Sequence, residues 1–272
     1  MKIKVAFQGE VGAYSEDAAF QFFGNHIFTI SCKSLSEVFQ KVENGEADFG
    51  VVPVENSIEG TIGQTYDLLF STNLKIKGET ILRINHCLIA LPGTKIKSIK
   101  NVYSHPQALG QCRQFLEKLK CNLIPTYDTA GSVKMLKEQG LRDSGAIASE
   151  RAAKIYGMKI LAKGIETNKN NFTRFFIISI KDSKYTGNDK TSLMFSTKHV
   201  PGALFKCLEG FAKNKINLTK IESRPIIGKP WEYNFFLDFE GHRSEKKVKE
   251  AIKLLRKNSN FVKILGSYPK WS

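Results

Sequence analysis

The chain of 272 residues is 42% hydrophobic, enough to fill one large domain and a smaller one, which excludes a disordered protein. Its 41 Lys and Arg against 26 Asp and Glu give a formal charge of +15, a field that favours encounter with an anion. No apolar run approaches the ~18 residues of a membrane span, and five single cysteines, Cys32, Cys87, Cys112, Cys121 and Cys207, outline neither a disulfide framework nor a zinc site.

The start turns polar too early for a signal peptide, so a soluble intracellular protein is expected. Residues 2–7 alternate and predict a strand. Residues 8–15 form a glycine-bearing loop that can bring backbone N–H groups to an anion. Ser15 is placed there to cap a helix through Ala18, Ala19, Phe20 and Phe23, with Glu16 and Asp17 in its first turn. Ser34 to Glu37 fits a capping box, followed by the stripe Leu35, Val38, Phe39 and Val42 before Gly45 stops the helix. Residues 48–54 predict a buried strand that opens into the polar knot 55–61. At the carboxyl end of a strand, Asn56 and Ser57 serve either a ligand or a turn and helix cap.

Residues 75–90 predict consecutive strands, with Pro92-Gly93 as a turn. Residues 101–103 form a short strand, and Pro106 starts a helix buried through Leu109, Cys112, Phe115, Leu116 and Leu119. Ser104 and His105 fall at that helix start, where free N–H donors favour an anion and disfavour imidazolium; a structural histidine fits the position equally. Residues 122–126 read as a strand, residues 128–132 as the cap of a helix through Met135 and Leu136, residues 145–148 as a strand, and Ser149-Glu150 as another helix start. The alternation predicts a mostly parallel sheet.

After residues 158–162, the polar cluster Asn170-Asn171-Phe172-Thr173-Arg174 runs into the apolar strand 175–180. A hydroxyl and a guanidinium therefore sit at the mouth of a sheet, either as a site or as a capped loop with a surface arginine. Residues 181–190 are polar and linker-like. Beyond them come strand 192–197, helix 203–211, strands 218–224 and 233–239, helix 247–255 and strand 262–265, the βαββαβ order of a ferredoxin-like module suited to binding or assembly. Lys206, Lys213, Lys215, Lys247, Lys249, Lys253 and Lys257 are spread along these helices, which reads as solvated faces rather than a nucleic-acid patch.

Five motifs in order, Phe7-Gln8-Gly9 with Gly12-Ala13-Tyr14-Ser15, Val54-Glu55-Asn56-Ser57, Tyr103-Ser104-His105-Pro106-Gln107-Ala108-Leu109, Asp128-Thr129-Ala130 and Asn171-Phe172-Thr173-Arg174-Phe175, are similar to the catalytic motifs of the prephenate dehydratase family. Gly202-Ala203-Leu204 and Glu222-Ser223-Arg224-Pro225 resemble the phenylalanine-binding motifs of its ACT domain, followed by a matching stretch at 233–242. Thr167 departs from the family, which more often has Asp there. The resemblance implies an α/β fold: a two-lobed catalytic domain like type 2 periplasmic binding proteins at 1–182, a linker at 183–190 and a ferredoxin-like ACT domain at 191–272. Lobe one would comprise about 1–75 and 165–182, and lobe two about 76–164, with the site in the cleft between them.

The resemblance further implies decarboxylating dehydration of prephenate to phenylpyruvate, with no metal or organic cofactor. Thr173 takes the catalytic role, and Ser15, Asn56, Ser57, Ser104, His105, Gln107, Thr129 and Arg174 would bind substrate. Whether Arg174 clamps a carboxylate or braces the loop stays open. L-Phenylalanine is implied as an effector at Gly202, Ala203, Leu204, Asn217, Leu218, Glu222, Ser223, Arg224 and Pro225, between paired copies in a homodimer or homotetramer. The expected location is the cytoplasm, without nucleic-acid or membrane partners. Arogenate dehydratase and a non-catalytic two-lobed amino-acid sensor are the alternative readings.

Overall fold

In the computed structural model, which describes residues 2–226 and 228–271, strands and helices alternate through two lobes and a C-terminal domain. The first lobe runs β1 (Ile3–Gln8), α1 (Tyr14–Phe23), β2 (Ile27–Cys32), α2 (Leu35–Glu43), β3 (Phe49–Asn56), β4 (Gly60–Thr61), α3 (Gly63–Ser71) and β5 (Lys75–Arg83). The second runs β6 (Cys87–Ala90), β7 (Asn101–Ser104), α4 (Pro106–Gln111), α5 (Arg113–Leu119), β8 (Asn122–Pro125), α6 (Thr129–Gln139), β9 (Ser144–Ala148), α7 (Glu150–Tyr156) and β10 (Lys159–Lys163). The chain then returns to the first lobe as β11 (Phe172–Ser179). The C-terminal domain follows as β12 (Asp189–Thr197), α8 (Ala203–Lys213), β13 (Leu218–Ile226), β14 (Lys229–Glu240), α9 (Lys246–Asn258) and β15 (Ser259–Pro269).

Sheet one has the order β2-β1-β3-β11-β5, sheet two β10-β6-β9-β7-β8, and the C-terminal sheet β13-β14-β12-β15. Both lobe sheets are mixed. Strand β11 runs antiparallel to β3 and β5, and β6 antiparallel to β9 and β10, because the strands next to the crossings enter from the opposite lobe. This corrects the mostly parallel expectation. It also moves the lobe boundary, since β5 pairs only with β11 and belongs to the first lobe through Arg83 rather than ending near residue 75. The helix expected over 106–119 divides at Cys112. Helix α1 starts two residues early, with Ala13 as its N-cap, so Ser15 lies inside the first turn and caps nothing.

Other start signals hold as local chemistry. Ser34 accepts the Glu37 N–H at 3.2 Å while the Glu37 carboxylate takes the Lys33 N–H at 2.8 Å. Asp128 accepts the N–H groups of Ala130 and Gly131 at the head of α6, and Ser149 accepts that of Ala152 at the head of α7.

The apolar faces of sheet one separate by the period of two. Phe175 and Ile177 pack on α1, whereas Phe176 and Ile178 join Tyr66, Leu69 and Ile76 beneath the C-terminal sheet, which adds Met194, Phe236, Leu265 and Tyr268 to the same core. The Tyr66 and Phe236 rings meet at 4.5 Å. At about 1.5–3 kcal/mol per fully buried large side chain, this shared core is enough to dock the C-terminal domain firmly on lobe one. Gly266 permits the contact: a Cβ there would lie 2.2 Å from the Ile76 carbonyl oxygen.

Candidate active site

The lobes enclose a cleft of about 590 Å³, within the range of small-molecule sites. Two segments cross between them, and they are bonded to each other: Ile84 N–H donates to Asn171 O at 2.8 Å and Ile165 N–H to His86 O at 3.1 Å. The side chains at this crossing form one continuous chain of hydrogen bonds through the cleft wall.

At one end is Thr173, the ladder partner of Asn56 on β3. Asn56 Oδ1 accepts the N–H groups of Ile58 and Glu59 at 2.9 and 3.0 Å, which fixes the amide so that Nδ2 faces β11. Nδ2 then donates to Thr173 Oγ1 at 3.0 Å and to Asn171 Oδ1 at 2.8 Å. The Thr173 oxygen is thus an acceptor within the protein, and its own proton is free for the cleft. Asn171 Nδ2 continues to Gln111 Oε1 at 2.7 Å, and the same oxygen meets His86 Nε2 at 2.9 Å. Because that oxygen only accepts, His86 carries its proton on Nε2, and its bare Nδ1, at 2.9 Å, shares the single Tyr14 hydroxyl proton with Asn85 O at 3.0 Å. Burial holds the His86 imidazole below its ordinary range and the Tyr14 phenol well above its own, so both stay neutral. Gln111 and His86 come from the second lobe and the crossing, the remainder from lobe one and the return.

Backbone geometry aims these groups. Ladder register shifts between Arg174, opposite Glu55, and Phe175, opposite Pro53, leaving Val54 as a β-bulge. The extra residue allows Pro53 and Asn56, three apart, to line the same cleft, while Val54 is buried in the core beneath the C-terminal sheet. On the opposite wall Asp128 Oδ2 takes the Glu10 N–H at 2.7 Å, which closes the 9–13 loop onto α6. Gly9, at φ +110°, has no room for a Cβ, which would lie 2.6 Å from that same oxygen. Ser149 Oγ donates to Gly12 O at 2.8 Å across the same interface.

The sequence profile of the family Prephenate dehydratase matches residues 5–183, and that of the ACT domain matches residues 191–255. The chain belongs to the prephenate dehydratase family.

Among its relatives, it is 45% identical over 271 residues to the bifunctional chorismate mutase/prephenate dehydratase of Aquifex aeolicus, spanning 99% of this chain and 74% of that one. It is 41% identical over 280 residues to arogenate dehydratase/prephenate dehydratase 2 of Arabidopsis thaliana, spanning 98% and 73%. The prephenate dehydratase of Arthrobacter aurescens, solved in complex with L-Phe, superposes with a TM-score of 0.90 at 32% identity, over 98% of this chain and 90% of that one. A chain described as a novel type of quorum quenching acylase superposes with the same TM-score and identity over 98% of each. The chain therefore combines a prephenate dehydratase domain, of the carbon–oxygen lyase class, with an ACT regulatory domain.

Of the residues expected to bind substrate, Ser15, Asn56, His105, Gln107 and Thr129 line the cleft together with Thr173. Three do not. Ser57 Oγ donates to Asn170 O at 2.8 Å and accepts the Phe172 N–H at 2.9 Å, fastening the return loop. Ser104 is fully buried and donates to Ile147 O at 2.7 Å, holding β7 to β9. Arg174 points away from the cleft because it neighbours the cleft-facing Thr173 in a strand. Its guanidinium pairs with Glu79 and Asp238 at 2.6 Å each and reaches Tyr268 Oη at 3.2 Å. Burial opposes its charge, but Asp238 above all, with Tyr268 and Glu79, holds it ionised.

The prephenate dehydratase reading missed Tyr14, His86 and Gln111 as cleft residues, and Lys33, which lines the cleft beside Ser31. Thr167, the family departure, only accepts the Gln114 N–H at 3.4 Å and gives its own N–H to Gln111 O at 2.8 Å.

In the ACT domain, Gly202 caps α8 in the left-handed conformation, with Ala203 buried and Leu204 half-buried behind it. Asn217 immediately precedes β13, which starts at Leu218 and also carries 222–225. Glu222 and Arg224 face lobe one, accepting from Thr61 Oγ1 at 3.0 Å and pairing with Asp67 at 2.9 Å, while Ser223 and Pro225 are exposed.

Proposed function

We propose that the chain converts prephenate to phenylpyruvate, carbon dioxide and water in the cleft between the lobes. The observation that carries this reading is the Thr173 hydroxyl, which spends its lone pair on Asn56 and keeps its proton for a substrate. In the reaction the ring carboxylate leaves as carbon dioxide, its bonding electrons enter the ring, and the ring C–O bond breaks with uptake of one proton by the departing hydroxide. Aromatisation drives the step, so the protein has to orient a dianion, support the leaving oxygen and keep water away. Thr173 donates a hydrogen bond to that oxygen within the Asn56–Asn171 array; a free hydroxyl is too weak an acid to release its proton outright. Lys33 and the donors Ser15, Gln107 and Thr129 bind the carboxylates, with the start of α1 contributing backbone N–H groups.

The decisive experiment compares kcat/KM on prephenate and arogenate with the purified chain. Higher efficiency on arogenate would transfer the same chemistry to the amino analogue. Turnover of neither, in a folded protein that binds an amino acid, would favour the non-catalytic sensor.

We infer further that L-phenylalanine binds the ACT domain and suppresses turnover, supported by the L-Phe complex of the Arthrobacter aurescens relative. Pairing of two copies along β13 fits its exposure: it is an edge strand without a fully buried residue, and Ile221 is 45% exposed. A homodimer or a tetramer built from it would set the effector between copies, as light scattering can test. Four of the five free cysteines are buried, consistent with a reducing cytoplasm.

A further inference from the structure

We propose that Glu55 and Arg174 are positioning residues through which the ACT domain sets the Asn56–Thr173 pair. Two neighbouring rungs of sheet one carry the connection. Asn56 pairs with Thr173 and both line the cleft; one residue away Glu55 pairs with Arg174, and both side chains turn to the ACT domain. Thr61 extends this second rung on the far side of Glu55.

The ACT domain grips the second rung at both ends. Lys220 Nζ donates to Glu55 Oε1 at 2.9 Å and to Thr61 Oγ1 at 3.0 Å, and Thr61 Oγ1 donates to Glu222 at 3.0 Å. At the other end Arg174 meets Asp238, whose second oxygen accepts Ser192 Oγ at 2.5 Å, while Lys190 closes on Glu79 at 3.0 Å. Arg174, Asp238 and Glu79 have side chains between 3% and 11% exposed, so solvent screens that end little, whereas Glu55 is 37% exposed and its pair with the buried Lys220 is partly screened. The peptide linking the rungs is planar and stiff, and the bulge at Val54 beside it is the one place where this ladder is already irregular. A displacement of Glu222 and Lys220, two residues apart on β13, therefore passes through Glu55 to Asn56 and shifts the amide that holds Thr173.

This inference rests on the phenylalanine reading above. Its test is the full-length Lys220→Met variant, which cuts the Glu55 and Thr61 contacts without touching cleft residues; because Lys220 also lies 3.9 Å from the effector residue Glu222, phenylalanine binding is measured alongside inhibition. Calorimetry should show phenylalanine binding retained and assays should show basal kcat and KM unchanged, while inhibition weakens by about 5–150-fold, the usual span of an allosteric coupling. Inhibition as strong as wild type with phenylalanine bound would overturn the proposal. Asp238→Asn probes the other end and should lower kcat with KM unchanged; a rise in KM alone would count against positioning.

A second readout separates failure of this inference from failure of the proposed reaction. If the wild-type chain turns over neither substrate, amide exchange of residues 54–56 and 172–175 still reports the coupling. Phenylalanine should change that exchange in the wild type and leave it unchanged in Lys220→Met. No change in the wild type overturns the proposal.

Discussion

Thr173 and Arg174 are consecutive in β11 and serve opposite faces of one sheet: the threonine oxygen lies 3.0 Å from the Asn56 amide in the cleft, and the arginine lies 2.6 Å from Asp238 in the ACT domain. A single peptide bond separates the reacting compartment from the regulatory one. Substitutions at the two positions should accordingly fail in different ways.

Thr173→Ala should lower kcat by about 10²–10⁴-fold, the range of a positioned proton donor. Its melting temperature should stay near wild type, because the Asn56 amide keeps Asn171 Oδ1 and Phe172 O as acceptors. Thr173→Ser restores the hydroxyl and should recover most of the rate. Unimpaired turnover by the alanine variant would remove Thr173 from the mechanism.

Arg174→Met should leave KM nearly unchanged and cost about 3–5 kcal/mol of stability, since it strands Asp238 and leaves Glu79 to Lys190 alone. Urea unfolding followed by fluorescence measures the loss. A stable variant with a strongly raised KM would instead return Arg174 to the substrate.

His86 makes a prediction about pH. Burial depresses its imidazole below the ordinary 6.5, so below 6.5 the unfolded chain gains a proton that the folded chain refuses. Its contribution to stability is complete above 6.5 and declines as pH falls through the window beneath it. Turnover should show no acid limb at 6.5 and should fail only lower, where protonated Nδ1 can no longer accept the Tyr14 hydroxyl. A kcat profile breaking at 6.5 would contradict a buried neutral His86.

Gly266→Ala tests the docking of the ACT domain on lobe one. Its methyl group would collide with the Ile76 backbone rather than a side chain able to turn aside, at a cost of about 1–3 kcal/mol. Trypsin should then cut more readily around Lys181 and Lys184 between the domains. Unchanged cleavage would show that the contact relaxes.

Much of this arrangement is legible in the sequence, for identifiable reasons. Ser34, Asp128 and Ser149 announce helix starts because capping is local, and the continuous apolar run of β11 announces a strand. The period of two in any strand already implies that Arg174 must leave the cleft if Thr173 enters it. Tyr14, His86 and Gln111 escape notice because they lie far apart in the chain with no shared local pattern, and only the crossing of the chain brings them together. The bulge at Val54 is marked only by the neighbouring Pro53, and the membership of β5 in lobe one depends on a partner nearly a hundred residues away. Ser15 misleads as a cap because the turn at Gly12, at φ +95°, lets the helix begin two residues sooner.

The late return of β11 also dictates an order of assembly during synthesis. Among the described residues strand β5 has no sheet partner except β11, yet the whole second lobe lies between Arg83 and Phe172. At ribosomal rates of about 5–20 residues per second, β5 waits unpaired for several seconds while the second lobe, contiguous in the chain, can fold by itself. The strand bearing Thr173 is then inserted between two waiting neighbours, and only afterwards does the ACT domain emerge to cover the exposed face. Thr173 thus arrives with the strand that completes the first lobe, so the nascent chain has no complete cleft until that lobe is closed.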